Sequence, residues 1–202
     1  MSKRSYQQYC GLARALDVVG ERWTLLILRN LLIGPQRYTA LQGCLPGITT
    51  NLLAKRLREM EAQGLILKEG RLYRISPMGL ELEPAIMALG RFGQRYLAGG
   101  PRDDDTVELG WGMVSLKRRY RGTAEGKAVL AVGERSFLLD YSPSYVDVRE
   151  GETHAPLVVS GTLAAFRPWL FMGQPPRGLS VSGPGFREFC GSFGVDPQYD
   201  EA

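Results

Sequence analysis

Two stop signals, Gly34-Pro35 and Pro46-Gly47, constrain this chain more than any other feature, because they confine one short helical stretch between them. Ahead of the first lies Trp23–Leu32, apolar nearly all round, as a helix buried at the centre of a small domain must be. Earlier still, Leu12, Ala15, Leu16 and Val19 recur at helical spacing and Gly20 ends that helix. Between the stops, Tyr38 to Leu45 reads as a short helix. After Pro46-Gly47, Thr49 or Thr50 supplies an N-cap, and Leu53, Leu57 and Met60 form the inward stripe of a helix that Gly64 terminates. Residues 65–75 read as two short strands turning at Glu69-Gly70. Ser76-Pro77 opens a last helix reaching about Leu97, with Pro84 marking a kink or a fresh start inside it.

Two short helices joined by a Pro-Gly turn and followed by a basic hairpin make a winged helix-turn-helix. Its second helix is the natural reader of a major groove, with base contacts from the first residues. Charge agrees. The chain carries a net +4, but residues 1–100 hold 14 Lys and Arg against 7 Asp and Glu, while residues 101–202 are net −3. Basic charge gathered in one half is the footprint of a polyanion binder joined to a part with another task. The sign changes across Leu97-Ala98-Gly99-Gly100-Pro101 and the acidic run that follows it. The expected organisation is therefore a DNA-binding and dimerisation domain over 1–98, a linker over 99–108 and a second domain over 109–202.

The run Leu16-Asp17-Val18-Val19-Gly20-Glu21-Arg22-Trp23-Thr24-Leu25-Leu26-Ile27-Leu28-Arg29 resembles the opening of HxlR-type regulators, a branch related to the MarR group. Leu45-Pro46-Gly47-Ile48-Thr49-Thr50-Asn51 and Arg56-Leu57-Arg58-Glu59-Met60-Glu61 look like the recognition-helix signature of that family, and Tyr73-Arg74-Ile75-Ser76-Pro77-Met78-Gly79 is similar to its wing exit. The resemblance covers residues 6–97. It implies a homodimer on near-palindromic double-stranded DNA, with half-sites roughly 34–36 Å apart.

In the second half, Val129–Val132, Ser136–Tyr141 and Tyr145–Val148 read as consecutive strands, and Leu157–Phe166 as a strand feeding a helix. Leu179–Gly183 then precedes a closing helix near Phe186–Phe193. The expected fold class is α+β, a winged helix-turn-helix followed by a small α/β domain with a mainly antiparallel sheet. The phrases "VSGTLAAF", "LSVSG" and "FREFCGSFG" are similar to sterol-carrier-protein-like domains. That likeness implies a shelter for an apolar effector, for which Trp111, Phe137, Phe166, Trp169 and Phe171 are candidates. A plain core needs the same residues.

The DNA-binding candidates are Thr49, Thr50, Asn51 and Lys55 on the recognition helix. Arg37 and Tyr38 begin the preceding helix, and Lys68 and Arg71 flank the wing tip. An amide suits adenine and a lysine suits guanine or phosphate. Arg56 and Arg58 either neutralise phosphates or pair with Glu59 or Glu61 on the surface. Arg22 and Trp23 are expected to support packing. Cys10 stands where some relatives sense oxidants, so it is either a redox switch aided by Arg14 or a packing thiol. Three scattered cysteines and one histidine argue against a disulfide framework and a metal site. No cofactor fingerprint or nucleophile motif is present, so the expected role is not enzymatic. The lack of a long apolar run or leader sequence points to a cytoplasmic protein without membrane spans. The competing function is an apolar small-molecule carrier that uses its helices to dimerise.

Overall fold

The computed structural model describes residues 5–97, 99–151 and 153–197. Ala98, the last position of the first expected domain, and the chain ends lie outside them. The chain divides into two compact units, 1–88 and 89–202. The division falls inside a helix, ahead of the breaker-rich segment 99–108.

The first unit runs α1 (Gly11–Val19), α2 (Thr24–Leu31), β1 (Gln36–Arg37), α3 (Tyr38–Gly43), α4 (Thr50–Ala62), β2 (Ile66–Glu69), β3 (Leu72–Ile75), α5 (Pro77–Leu80) and the start of α6 (Glu83–Gly93). Ile27, Leu28 and Leu31 of α2 are buried, as are Leu41, Leu45, Leu53, Leu57, Met60, Leu65 and Ile66. Each such side chain contributes roughly 1.5–3 kcal/mol on leaving water. Between the helices of this unit the chain is punctuated as the sequence requires: Gly20 caps α1, Thr49 caps α4 and Ser76 caps α5. Pro84 falls in the first turn of α6, where its missing N–H costs nothing, so it marks a fresh start. Gly79 is dictated by packing, since a Cβ there would lie 2.1 Å from the Leu65 carbonyl oxygen. β2 and β3 form the hairpin, and β1 adds a third strand by pairing Gln36 with Tyr73 and Arg37 with Leu72. A two-residue strand has no periodicity to read, so β1 was not anticipated.

The second unit contains α7 (Leu109–Arg119), β4 (Gly126–Val132), β5 (Arg135–Ser142), β6 (Tyr145–Glu150), β7 (Leu157–Gly161), α8 (Leu163–Arg167), β8 (Ser180–Ser182) and α9 (Phe186–Gly191). A π-helical turn spans Pro168–Met172. The sheet order is β6-β5-β4-β7-β8. Three of the four pairings are antiparallel, as expected, but β4 pairs parallel with β7, so the sheet is mixed. Strand patterns reveal which segments extend, whereas the chain leaves β6 at one edge and re-enters beyond β4. α7 was also not anticipated. Gly110 and Gly112 weaken its helical signal, but Glu108 accepts the Gly110 N–H at 2.5 Å as a cap. Gly112 is needed where Leu170 and Phe171 press on the helix, with a Cβ there 3.0 Å from both.

Candidate nucleic-acid interface

The geometry of α4 sorts its residues. With 100° between successive residues, Leu53, Leu57 and Met60 mark the inward face. Asn51, Lys55 and Arg58, at i, i+4 and i+7, share the opposite face and are all exposed. Thr49 and Thr50 are exposed at the N-terminal end. The Thr49 hydroxyl accepts the Leu52 N–H at 3.3 Å, which commits one lone pair to the cap. Lys55 lies 3.9 Å from Glu59, a loose surface pair.

Thr50 is held from below. Tyr38 donates its hydroxyl to the Thr50 carbonyl at 2.8 Å, and Gln42 donates its side-chain amide to the Thr50 hydroxyl at 2.9 Å. Tyr38 thus ties α3 to the first turn of α4 while its neighbour Arg37 is exposed. Gln42 was missed in the sequence. The signal for it was spacing, since position 42 sits on the same face of α3 as Tyr38.

Arg56 stands apart from the exposed set. It is 8% exposed and its guanidinium reaches Glu59 at 2.7 Å and Glu21 at 2.9 Å. This realises the pairing with Glu59 that the sequence left open, and it sets Arg56 apart from the solvent-exposed row. The reason was latent in the period: residue 56 is three beyond Leu53 and four before Met60, so it shares their side of the helix. Glu21 was not singled out either. It lies in the turn between α1 and α2.

At the hairpin, Lys68 and Arg71 are exposed on either side of Gly70. The Lys68 ammonium sits 5.7 Å from the centroid of Tyr73, and Arg74 pairs with Glu69 at 2.5 Å. Arg37, Arg58 and Arg71 have no ion pair among the described residues. Arg22 stacks on Trp23, 5.2 Å from the ring centroid, and Trp23 is buried.

All three cysteines are free thiols. Cys10 is exposed at the N-cap of α1. Hydrogen bonding from the backbone N–H groups of Ala13 and Leu12 favours its thiolate and lowers its pKa. Cys190 is buried, which pushes its pKa up to about 12.

The five aromatics proposed for an effector differ in burial. Phe137, Phe166 and Trp169 are fully buried. Trp169 stacks with Phe166 at 6.2 Å and meets Phe189 and Phe193 edge-on, which is core packing. Trp111 and Phe171 are half-buried. A cleft of about 540 Å³ in this unit is lined instead by Ala164, Ala165, Pro168, Gln174, Pro175 and Arg177. No helix among the described residues is long and apolar enough to cross a membrane.

Part of the chain is similar to known proteins. A family model described as an HxlR-like helix-turn-helix matches residues 18–100. An uncharacterized HTH-type transcriptional regulator of Synechocystis is 30% identical over 95 residues, covering 44% of this chain and 70% of that protein. Another from Mycobacterium bovis is 41% identical over 91 residues, covering 42% of this chain and 57% of that protein. The crystal structure of quinone-bound YodB from B. subtilis is 25% identical with a TM-score of 0.39, covering 42% of this chain and 96% of that one. All of these alignments take in less than half of this chain. The chain belongs to the HxlR-like helix-turn-helix family of DNA-binding transcription regulators.

Proposed function

We propose that the chain is a homodimeric, sequence-specific regulator that lays α4 in the major groove of double-stranded DNA. The carrying observation is the exposed row of Asn51, Lys55 and Arg58 on the face of α4 that the core does not use. Asn51 offers a bidentate amide to an adenine edge, and Lys55 a point charge to guanine or phosphate. Arg58, Arg37, Lys68 and Arg71 fix the register on phosphates. Thr49 and Thr50 lie at the end of α4 that enters first.

Dimerisation draws on apolar side chains that a single chain leaves in water. On α1, Leu12 and Leu16 are exposed, and Leu89, Phe92, Tyr96 and Leu97 are exposed on and after α6. Such side chains at helical spacing need a covering partner. We further assign control of the dimer to the second unit, read as sterol-carrier-protein-like over 109–202, or to Cys10. The exposed, pKa-lowered thiol of Cys10 supports the redox route.

Fluorescence anisotropy against DNA from upstream of the coding region, beside scrambled DNA at several salt concentrations, tests the reading. A preference of about 10³-fold or more with a steep salt slope is the expected result. Equal weak binding to every genomic fragment, with or without reductant, overturns it in favour of an apolar carrier.

A further inference from the structure

We propose that Arg56 and Glu21 form a strut that sets the angle of α4 against the turn preceding α2, making both residues positioning residues for DNA recognition. The inference rests on the reading that α4 presents the base-contacting face.

The geometry carries it. Arg56 lies on the inner flank of α4, midway along the helix, and the residue is 8% exposed. One terminal nitrogen donates to Glu59 on the same helix at 2.7 Å. The other donates to Glu21 at 2.9 Å, 35 residues away in sequence. A planar guanidinium fixes two acceptors in one plane. The Glu59 contact therefore orients the fork, and the Glu21 contact transfers that orientation to the body of the unit. Apolar contacts at Leu53, Leu57 and Met60 hold α4 down but tolerate sliding, because dispersion has little directionality. Hydrogen bonds to Thr50 from Tyr38 and Gln42 anchor the first turn. One anchored end leaves rotation about that end, and the Arg56–Glu21 contact at mid-helix removes it. The side chain of Glu21 is 54% exposed, so it is not a core residue whose loss unfolds the domain.

The sign of the effect separates this role from its rivals. If Glu21 were merely a surface carboxylate near a polyanion, removing its charge would strengthen DNA binding. If it is half of the strut, Glu21→Gln weakens binding to the preferred site although it lightens the negative field. We expect a loss of about tenfold or more, comparable to one mismatched base pair. Binding to scrambled DNA should change little. Arg56→Lys keeps the charge but cannot bridge two carboxylates as a fork, so it should lose specific affinity similarly. Arg56→Gln should leave the slope of log K against log salt unchanged, whereas a lost phosphate ligand lowers it by about 0.9.

The experiment is anisotropy of the full chain and these three variants on the preferred and the scrambled duplex across a salt series, with a melting curve for each. A parent chain without sequence preference overturns the DNA-binding reading itself. A parent with preference, combined with Glu21→Gln binding as tightly or tighter, overturns the strut alone. So does an Arg56→Gln slope lowered by about 0.9. Should Arg56→Gln unfold, Glu21→Gln and Arg56→Lys decide the question.

Discussion

Three arginines of each unit are employed in opposite ways. In the first, Arg37, Arg58 and Arg71 stand exposed without a counter-ion among the described residues. In the second, Arg118, Arg119 and Arg135 are held by internal partners. Arg135 is shared between Glu108 and Glu150; burial pulls its pKa down, but the hydrogen bonds and charges of the two carboxylates together outweigh it and drive the pKa upward. Arg118 donates to the Gly90 carbonyl, Gln94 and Ser115. Arg119 caps the carbonyls of Trp169 at 2.6 Å and Leu170 at 3.0 Å, and burial lowers its pKa to about 10. Positive charge without an internal partner is charge available to phosphates. A cation that already holds carbonyls and carboxylates would have to break them first. Arg56 shows that the same sorting operates within a single helix.

Several substitutions bear on that contrast, beginning with the largest effect. Trp169→Ala should cost about 3–5 kcal/mol of stability in denaturant unfolding, as loss of a core aromatic does. A cost under about 1 kcal/mol would mean that Trp169 lines an opening rather than filling the core. Asn51→Ala should cost about 1–3 kcal/mol of binding at the preferred site with unchanged melting. Retention of full preference would move base reading elsewhere. Arg58→Ala and Arg71→Ala should each lower the salt slope by about 0.9, with weakening on every sequence alike. Arg135→Ala should leave that slope untouched and lower the melting temperature, and an equal slope change would erase the distinction between the units.

The smallest effects concern the thiols. Cys10 should be alkylated at a lower pH than a free thiol, while Cys190 should resist reagent until its unit unfolds. Because folding raises the Cys190 pKa, its contribution to stability is complete below the ordinary thiol pKa of about 8.5 and is lost as pH rises toward 12. Melting temperatures across that range, compared with those of Cys190→Ala, check the sign.

The first unit was legible because its elements are short and sharply punctuated. Gly20, Gly34-Pro35, Pro46-Gly47, Thr49, Gly64 and Ser76-Pro77 each stop or start a helix for a local reason. β1 escaped because two residues carry no period. In the second unit the strands could be read, but α7 was masked by Gly110 and Gly112, which local propensity penalises and close packing demands. The outward row of α4 followed from the 3.6-residue period. The same period, applied to Arg56, placed it inside, and only a charged residue's usual preference for water suggested otherwise.

By itself, the sequence determined the order of helices and hairpin in the first unit, the face of α4 that meets solvent and the excess of positive charge in the first hundred residues. These depend on neighbours within a few positions, where backbone geometry and turn chemistry act directly. Tertiary structure alone decided that β7 lies parallel to β4, that Phe166 and Trp169 are core, and that Arg56 meets Glu21. Such contacts join residues far apart in the chain, and their selection depends on packing and charge compensation across the whole unit rather than on any local preference.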